Sequence, residues 1–205
     1  MGRLKAVKNS MRKGTGGLRR RWLVNTVWVM CAIGLVCALA VTAVFAAYYY
    51  TNMDSDLHYR ARTTTDFFAE YINQSYNEYY QSCITYAQTF DDRNSLELQF
   101  INAQGQLVAS SYGQWTGRSP ETPDIQDAVT TRGPAPYLGK DPATGERIMA
   151  VSSPMIYSNG EVIGVLRYVT STAKVDWQII KVGLVAFGVC FAVIAIGILN
   201  SDYYI

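Results

Sequence analysis

Two long uncharged apolar runs, residues 22–50 and 182–199, enclose a polar stretch, 51–181, in which apolar positions recur first every three or four residues and then every second one. The first run has no Asp, Glu, Lys or Arg between Arg21 and Asp54, and it exceeds the ~20 apolar residues a helix needs to cross hydrocarbon. Backbone amides in lipid must be satisfied internally, so such a run is helical once inserted. The second run is shorter, but Trp177 and Lys181 before it and Asn200, Asp202, Tyr203 and Tyr204 after it supply interfacial anchors. Both are expected to span, 22–50 as the first transmembrane helix and 182–199 as the second. A leader cleaved near Val44-Phe45-Ala46 is the competing reading of the first run, although secretory apolar cores are usually ~7–15 residues.

Between the runs, Leu57, Ala61, Thr64, Phe68, Ile72, Ser75, Tyr79, Cys83, Tyr86 and Phe90 step by three and four, which predicts a helix. No Gly or Pro interrupts it; Asn52 or Asp54 can cap its start, and Asp91-Asp92 and Asn94 mark its stop. One long helix over 51–95, continuous with the first span, is therefore expected. The period changes at Leu96, where Leu98 and Phe100 alternate with Glu97 and Gln99, and Asn102-Ala103-Gln104-Gly105 turns into Leu107-Val108-Ala109, a hairpin. A looping stretch with Gly113, Gly117, Pro120 and Pro123 leads to a short helix from Pro123-Asp124 toward Gly133. Three further strands follow over 135–139, 146–155 and 162–170, separated by turn-forming residues at 141–145 and 158–160. The expected fold is α+β, a five-stranded antiparallel sheet over 96–174 with helices packed on one face, and 175–181 is a connector to the second span.

Charge orients this arrangement. Arg3, Lys5, Lys8, Arg12, Lys13, Arg19, Arg20 and Arg21 precede the first span with no acid among them, and such a cluster stays cytoplasmic. Residues 51–181 hold 15 of the 16 acids and 10 of the 18 bases, a net charge of −5, so the whole-chain value of +2 conceals a basic tail and an acidic outer domain. The glycine-containing tail 1–21 is not a phosphate loop, since no strand precedes it and no Lys-Ser/Thr pair follows; a flexible segment touching anionic lipid is expected. The plasma membrane, with the N-terminus cytoplasmic and 51–181 extracellular, is the expected location, and nucleic acid is not an expected partner. Cys31, Cys37 and Cys190 lie in the spans and Cys83 stands alone outside, so the outer domain relies on its apolar core. Cys83 is either a small buried hydrophobe or a bridge on a dimer axis.

Candidate chemistry is sparse. Asp54, Asp56 and His58 lie close in sequence, but i and i+2 point apart on a helix, so a solvated acidic first turn explains them better than a metal. The outer domain has no Ser/His/Asp set, and no catalytic residue, metal or cofactor is expected in this chain. Tyr71, Tyr76, Tyr79, Tyr80 and Tyr86 fall at helical spacing and suit packing, with glycan stacking as the alternative.

The hairpin Asn102-Ala103-Gln104-Gly105-Gln106-Leu107-Val108-Ala109-Ser110-Ser111, then Gly117-Arg118, then Ser153-Pro154-Met155-Ile156 and Gly160-Glu161-Val162-Ile163-Gly164-Val165-Leu166-Arg167, resembles extracytoplasmic PAS-like domains of the single-Cache type. In this order, and between two spans, it is similar to the sensor modules of bacterial two-component histidine kinases of the cell-envelope type. The resemblance implies a signal receiver that passes a displacement through the second span to a HAMP linker and a kinase core, and thence to a response regulator. The chain shows none of these parts: it ends at Ile205, and 200–205 look like a helix about to continue, so a fragment truncated after the second span is expected. The single histidine, His58, falls on the outer side and cannot be the phosphoacceptor.

Pockets in such folds lie between the sheet and the small helix and loop, which makes Trp115, Arg118, Tyr137, Met149, Tyr157 and Arg167 the candidate ligand contacts by position. Arg167 alternates with Val165 and Val169, a guanidinium among aliphatics. It suits a carboxylate or phosphate ligand, or else it is a snorkelling side chain paired with a neighbouring strand's Glu. Gly34, Ala38, Thr42 and Ala46 in the first span, with Gly188 and Ala192 in the second, are small residues that let helices approach closely in lipid. They suit a homodimer with four bundled spans, or packing of the two spans within one chain. Three function classes follow: the input half of a sensor histidine kinase, the sensing part of a chemoreceptor or cyclic-dinucleotide enzyme, and a small membrane protein acting by contact with a partner. The ligand is not named by the sequence.

Overall fold

The structure is a computed structural model describing residues 2–71, 76–113 and 119–203. In chain order its elements are α1 (Gly2–Tyr71), α2 (Tyr76–Gln88), β1 (Glu97–Asn102), β2 (Leu107–Ser110), α3 (Pro123–Thr131), β3 (Ala135–Lys140), β4 (Arg147–Ile156), β5 (Val162–Ser171) and α4 (Ala173–Tyr203). They form two compact units, one of Tyr48–Trp177 and one of Met1–Ala47 with Gln178–Ile205.

The first of these units carries a single antiparallel five-stranded sheet in the order β2-β1-β5-β4-β3. Its strands begin and end within a residue of those the alternation predicts. Arg132, at φ 53, ends α3 in the left-handed region just before Gly133. Where β5 crosses β1 the backbones are so close that a Cβ on Gly164 would lie 2.6 Å from the carbonyl oxygen of Ile101, so only glycine fits there.

Helices cover both faces of the sheet, not one. The main core places Leu57, Ala61 and Phe68 of α1 and Tyr79, Cys83 and Ala87 of α2 on Leu98, Phe100, Met149, Val151, Leu166 and Tyr168. On the other face, Ile125 and Val129 of α3 meet Ile101 and Val165. The cause lies in the central strands. β4 and β5 are buried along nearly their whole length, so both of their faces need cover.

Of the predicted stripe, Leu57, Ala61, Thr64, Phe68, Tyr79 and Cys83 are buried and Tyr86 and Phe90 half-buried, but it does not lie along one straight helix. The rings of Phe68 and Tyr86 are 5.3 Å apart, whereas 18 residues of continuous helix would separate them by ~27 Å. α1 and α2 therefore pack side by side. Phe68 gathers Tyr79, Tyr86 and Phe100 edge-to-face around it, so Tyr79 and Tyr86 are packing residues. Residues 72–75, with Ile72 and Ser75 of the stripe, lie outside the described residues.

The basic tail also differs from expectation: α1 begins at Gly2 and runs unbroken through Gly14, Gly16 and Gly17. Each glycine costs ~1 kcal/mol relative to Ala, but extension from an existing helix gains a hydrogen bond per residue without a new nucleus. Two helices are long and apolar enough to cross a membrane, Val24–Ala69 and Ala173–Leu199 by that measure. Only Thr172 separates β5 from α4, and 175–181 lies in the first turns of α4.

Within the apolar unit, a Cβ on Gly34 would sit 3.4 Å from Cys190 Cβ and 3.5 Å from Ile194 Cδ1, and one on Gly183 would sit 3.3 Å from Thr42 Oγ1. Ala38 is buried in the same seam, and the Thr42 hydroxyl donates to the Ala38 carbonyl at 2.8 Å. The Gly34, Ala38, Thr42 stripe thus faces α4 of its own chain, with Ala46 half-buried. Gly188 and Ala192 are exposed and take no part in that seam.

Candidate functional site

The register of the sheet sets one polar site on the α3 face. Gln99 of β1 pairs with Arg167 of β5, and Arg167 pairs with Ser152 of β4, so three polar side chains stand in a row across the centre of the sheet. α3 delivers a fourth group: Pro123 at its first turn fixes the helix start and directs Asp124 inward, fully buried. Arg167 Nε donates to Asp124 Oδ2 at 2.7 Å, its two terminal nitrogens donate to Gln99 Oε1 and Thr122 Oγ1 at 2.9 Å each, and the Ser152 hydroxyl donates to the same Asp124 oxygen at 2.6 Å. Arg167 is 3% exposed. Asp124 Oδ1 is buried without a hydrogen-bond partner among the described residues.

Arg167 is therefore neither a snorkelling residue nor the partner of a strand Glu; it is the buried cation of an ion pair with α3. In the sequence pattern Asp124 marks only a helix start. A guanidinium at the centre of a buried strand requires a carboxylate nearby, and an Asp in the inward first turn of the covering helix was the signal available.

Beside this pair lies a cavity of about 150 Å³. Its floor is Glu97 and Gln99 of β1, Arg167 and Val169 of β5 and Ile148 of β4, and its rim is Ser119 and Pro120 ahead of α3 with Asp141 and Thr144 of the β3–β4 turn. A smaller cavity of about 50 Å³ adjoins it and adds Glu121. Tyr112 stands nearby with its phenol held above the ordinary value, first by burial and then by the carboxylates of Glu97 and Glu146.

Of the predicted contacts, Arg167 lines this cavity. Tyr137 is on the same face, but its ring packs with Ile148, Ala150 and Val169, and its hydroxyl donates to the Lys140 carbonyl at 2.9 Å. Met149 and Tyr157 belong to the opposite face, in and against the α1/α2 core, which corrects their placement. Trp115 and Arg118 lie outside the described residues. Glu97, Gln99 and Asp141 were not foreseen. The acidic first turn near His58 is divided among other partners: Arg60 takes Asp56 at 2.9 Å and Asp92 at 2.6 Å, and His58 Nδ1 lies 3.0 Å from the Asp54 carbonyl oxygen.

The floor strand leads straight into α4, and their junction is tied down. The Asp176 carboxylate accepts from the Tyr50 hydroxyl, from the Thr172 hydroxyl at 3.1 Å and from Arg147 at 3.5 Å. The Thr172 amide donates to the Arg147 carbonyl at 2.9 Å. α1, β4 and α4 thus meet at one carboxylate within the sheet unit.

No family model and no curated protein matches the chain. Among solved structures it is similar to the sensor domain of the V. cholerae histidine kinase DctB, with TM-score 0.52 and 16% identity over 66% of this chain and 55% of that one. It is similar also to the sensory domain of the Campylobacter jejuni chemoreceptor Tlp3 (CcmL), with TM-score 0.50 and 12% identity over 73% and 64%. The chain therefore spans little more than half the length of the DctB sensor domain. The Tyr48–Trp177 unit therefore has the fold of extracytoplasmic PAS/Cache-like sensor domains.

Proposed function

We propose that this chain is a membrane-anchored sensor module, the input half of a two-component sensor histidine kinase, with residues 51–181 outside the cell and the N-terminal cations inside. The observation that carries this reading is the continuity of floor and exit. Arg167 and Val169 form part of the cavity floor, and the strand that bears them enters α4 after a single residue, Thr172. A ligand that prefers one position of β5 shifts the population of α4 arrangements by no more than its differential affinity for them. Eight basic residues before the first apolar helix support the orientation. A homodimer is part of this reading.

The sensing part of a chemoreceptor is the second reading, favoured equally by the likeness to the Tlp3 domain. The coding frame beyond Ile205, followed by an autophosphorylation assay of the intact product, separates the two. A HAMP linker, a histidine-bearing segment and an ATP-binding core that incorporate phosphate support the kinase. A methyl-accepting or cyclic-dinucleotide domain replaces it, and a stop codon leaves a membrane partner protein.

A further inference from the structure

We infer that the cavity beside Arg167 takes a small organic cation, a ligand with an ammonium head and a short apolar body, and not an anion. The inference rests on the reading of this cavity as the receiving site. It runs against the usual expectation for a buried arginine, and the reason is the state of that arginine.

The guanidinium of Arg167 is already matched by Asp124 at 2.7 Å, and three of its five N–H groups are committed, to Asp124, Gln99 and Thr122. What remains are two N–H donors that suit a neutral acceptor; the positive charge itself is spent. Among the described residues, the other ionisable groups lining the two adjoining cavities, Glu97, Asp141 and Glu121, are all acids. Once Arg167 and Asp124 cancel, the described walls are left with carboxyl groups as their ionisable side chains. An anion entering here meets like charge in a space partly shut off from water, where screening is weak.

Glu97 has capacity for a ligand. Both of its side-chain hydrogen bonds, from Gln99 Nε2 at 2.9 Å and the Ser110 hydroxyl at 2.7 Å, fall on Oε1, and Oε2 accepts none among the described residues. These bonds also hold the carboxylate in place, so little ordering is left to occur on binding. The buried Ile148 and Val169 offer an apolar surface for the body of the ligand. That surface favours an organic cation over a bare metal ion, which wants six or more oxygens. The size is consistent: at ~30 Å³ per water, the cavity volume corresponds to about five water molecules.

The test uses the full chain in lipid nanodiscs at pH 7, with thermal unfolding followed by near-ultraviolet circular dichroism. Three ammonium probes, 1,4-diaminobutane, ethanolamine and choline, are compared with succinate, which has the same four-carbon length as the diamine and opposite charge, and with calcium. At millimolar concentration at least one ammonium probe is expected to raise the midpoint by about 3 °C or more, and succinate to leave it unchanged. The double variant Glu97→Gln, Asp141→Asn keeps an oxygen for Gln99 and Ser110 at position 97 and one for the Ala143 amide at position 141, where the Thr144 hydroxyl turns from donor to acceptor; it is expected to unfold cooperatively and lose the shift. A shift from succinate overturns the inference and leaves the cavity as a receiving site. A shift from calcium alone, or an ammonium shift that survives the double variant, overturns it as well. Silence from every probe overturns the inference and the reading of the cavity together, and neither result bears on which output domain follows.

Discussion

Arg167 and Asp124, 43 residues apart in the chain, meet at 2.7 Å with 3% and 0% of their side chains exposed, and this pair pins α3 to the centre of the sheet. A buried ion pair returns little net stability against two apolar residues of the same volume, but removing one partner strands the other charge in the interior. Asp124→Ala is therefore expected to cost about 3–5 kcal/mol, and the double variant Asp124→Leu, Arg167→Met to recover most of it. Urea unfolding of the three proteins, followed by near-ultraviolet circular dichroism, measures the difference. A double variant no better than the single would mean that packing of α3, and not charge, holds this site.

The strands were legible because Leu96, Leu98 and Phe100 alternate with polar residues and because the turns at Asn102–Gly105 and 141–145 carry the residues such turns need. Face parity was legible only where a polar residue marks it. In β5, Arg167 sorts Val165 and Val169 from Leu166 and Tyr168 correctly. In β4, Ile148, Met149, Ala150 and Val151 are apolar in succession and all buried, so nothing distinguishes one face from the other, and Met149 was placed on the wrong one. The reversal between α1 and α2 had no Gly or Pro to announce it. The acids around the cavity carry no shared signal in the sequence: Glu97 opens β1 and Asp141 lies in the β3–β4 turn, and they come together only through the sheet order.

Two buried acidic groups predict an alkaline limit. Burial pushes the Cys83 thiol up to about 12, and burial, opposed by the hydrogen bond to Thr64, pushes the Tyr168 phenol up to about 12. Both folded values exceed the unfolded ones of about 9 and 10, so the fold holds protons that the unfolded chain releases. The stability these groups contribute is complete below pH 9 and is lost as pH rises from 9 to 12, at up to about 1.4 kcal/mol per pH unit for each group in its own window. Urea midpoints between pH 8 and 11.5 are expected to fall more gently in Cys83→Ala and Tyr168→Phe than in the parent. Parallel curves would assign the loss to exposed tyrosines and lysines. The same burial makes native Cys83 inert to iodoacetamide at pH 8, since the thiolate is the reactive form.

The clasp at Asp176 separates two kinds of contact. Arg147 reaches it at 3.5 Å with half its side chain exposed, a pair worth about 0–1 kcal/mol. The Tyr50 hydroxyl donates directly to Oδ1, a charge-assisted bond of about 1.5–3 kcal/mol before any discount for exposure. Tyr50→Phe is therefore expected to destabilise the first turn of α4 more than Arg147→Met does. Amide exchange at Asp176, whose N–H donates to the Thr172 carbonyl at 2.8 Å, reads this out. Faster exchange in Arg147→Met than in Tyr50→Phe would reverse the ranking.

The seam between the apolar helices can be fixed by a single sulfur. A Cβ at position 34 lies 3.4 Å from Cys190 Cβ, just under the ~3.5–4.5 Å spanned by disulfides. In a background with Cys31, Cys37 and Cys83 replaced by Ala, Gly34→Cys is expected to form an intramolecular disulfide with Cys190 on mild oxidation, visible as a faster band on non-reducing gels and as a linked peptide by mass. The alternative assignment of this stripe, a contact between two copies, gives a dimer band instead. Because Gly188 and Ala192 lie outside the seam, Gly188→Leu is expected to leave the intramolecular bond intact. If these residues serve a homodimer, the same substitution weakens crosslinking between copies through Cys31 or Cys37 in the otherwise native chain, which separates packing within the chain from packing between chains.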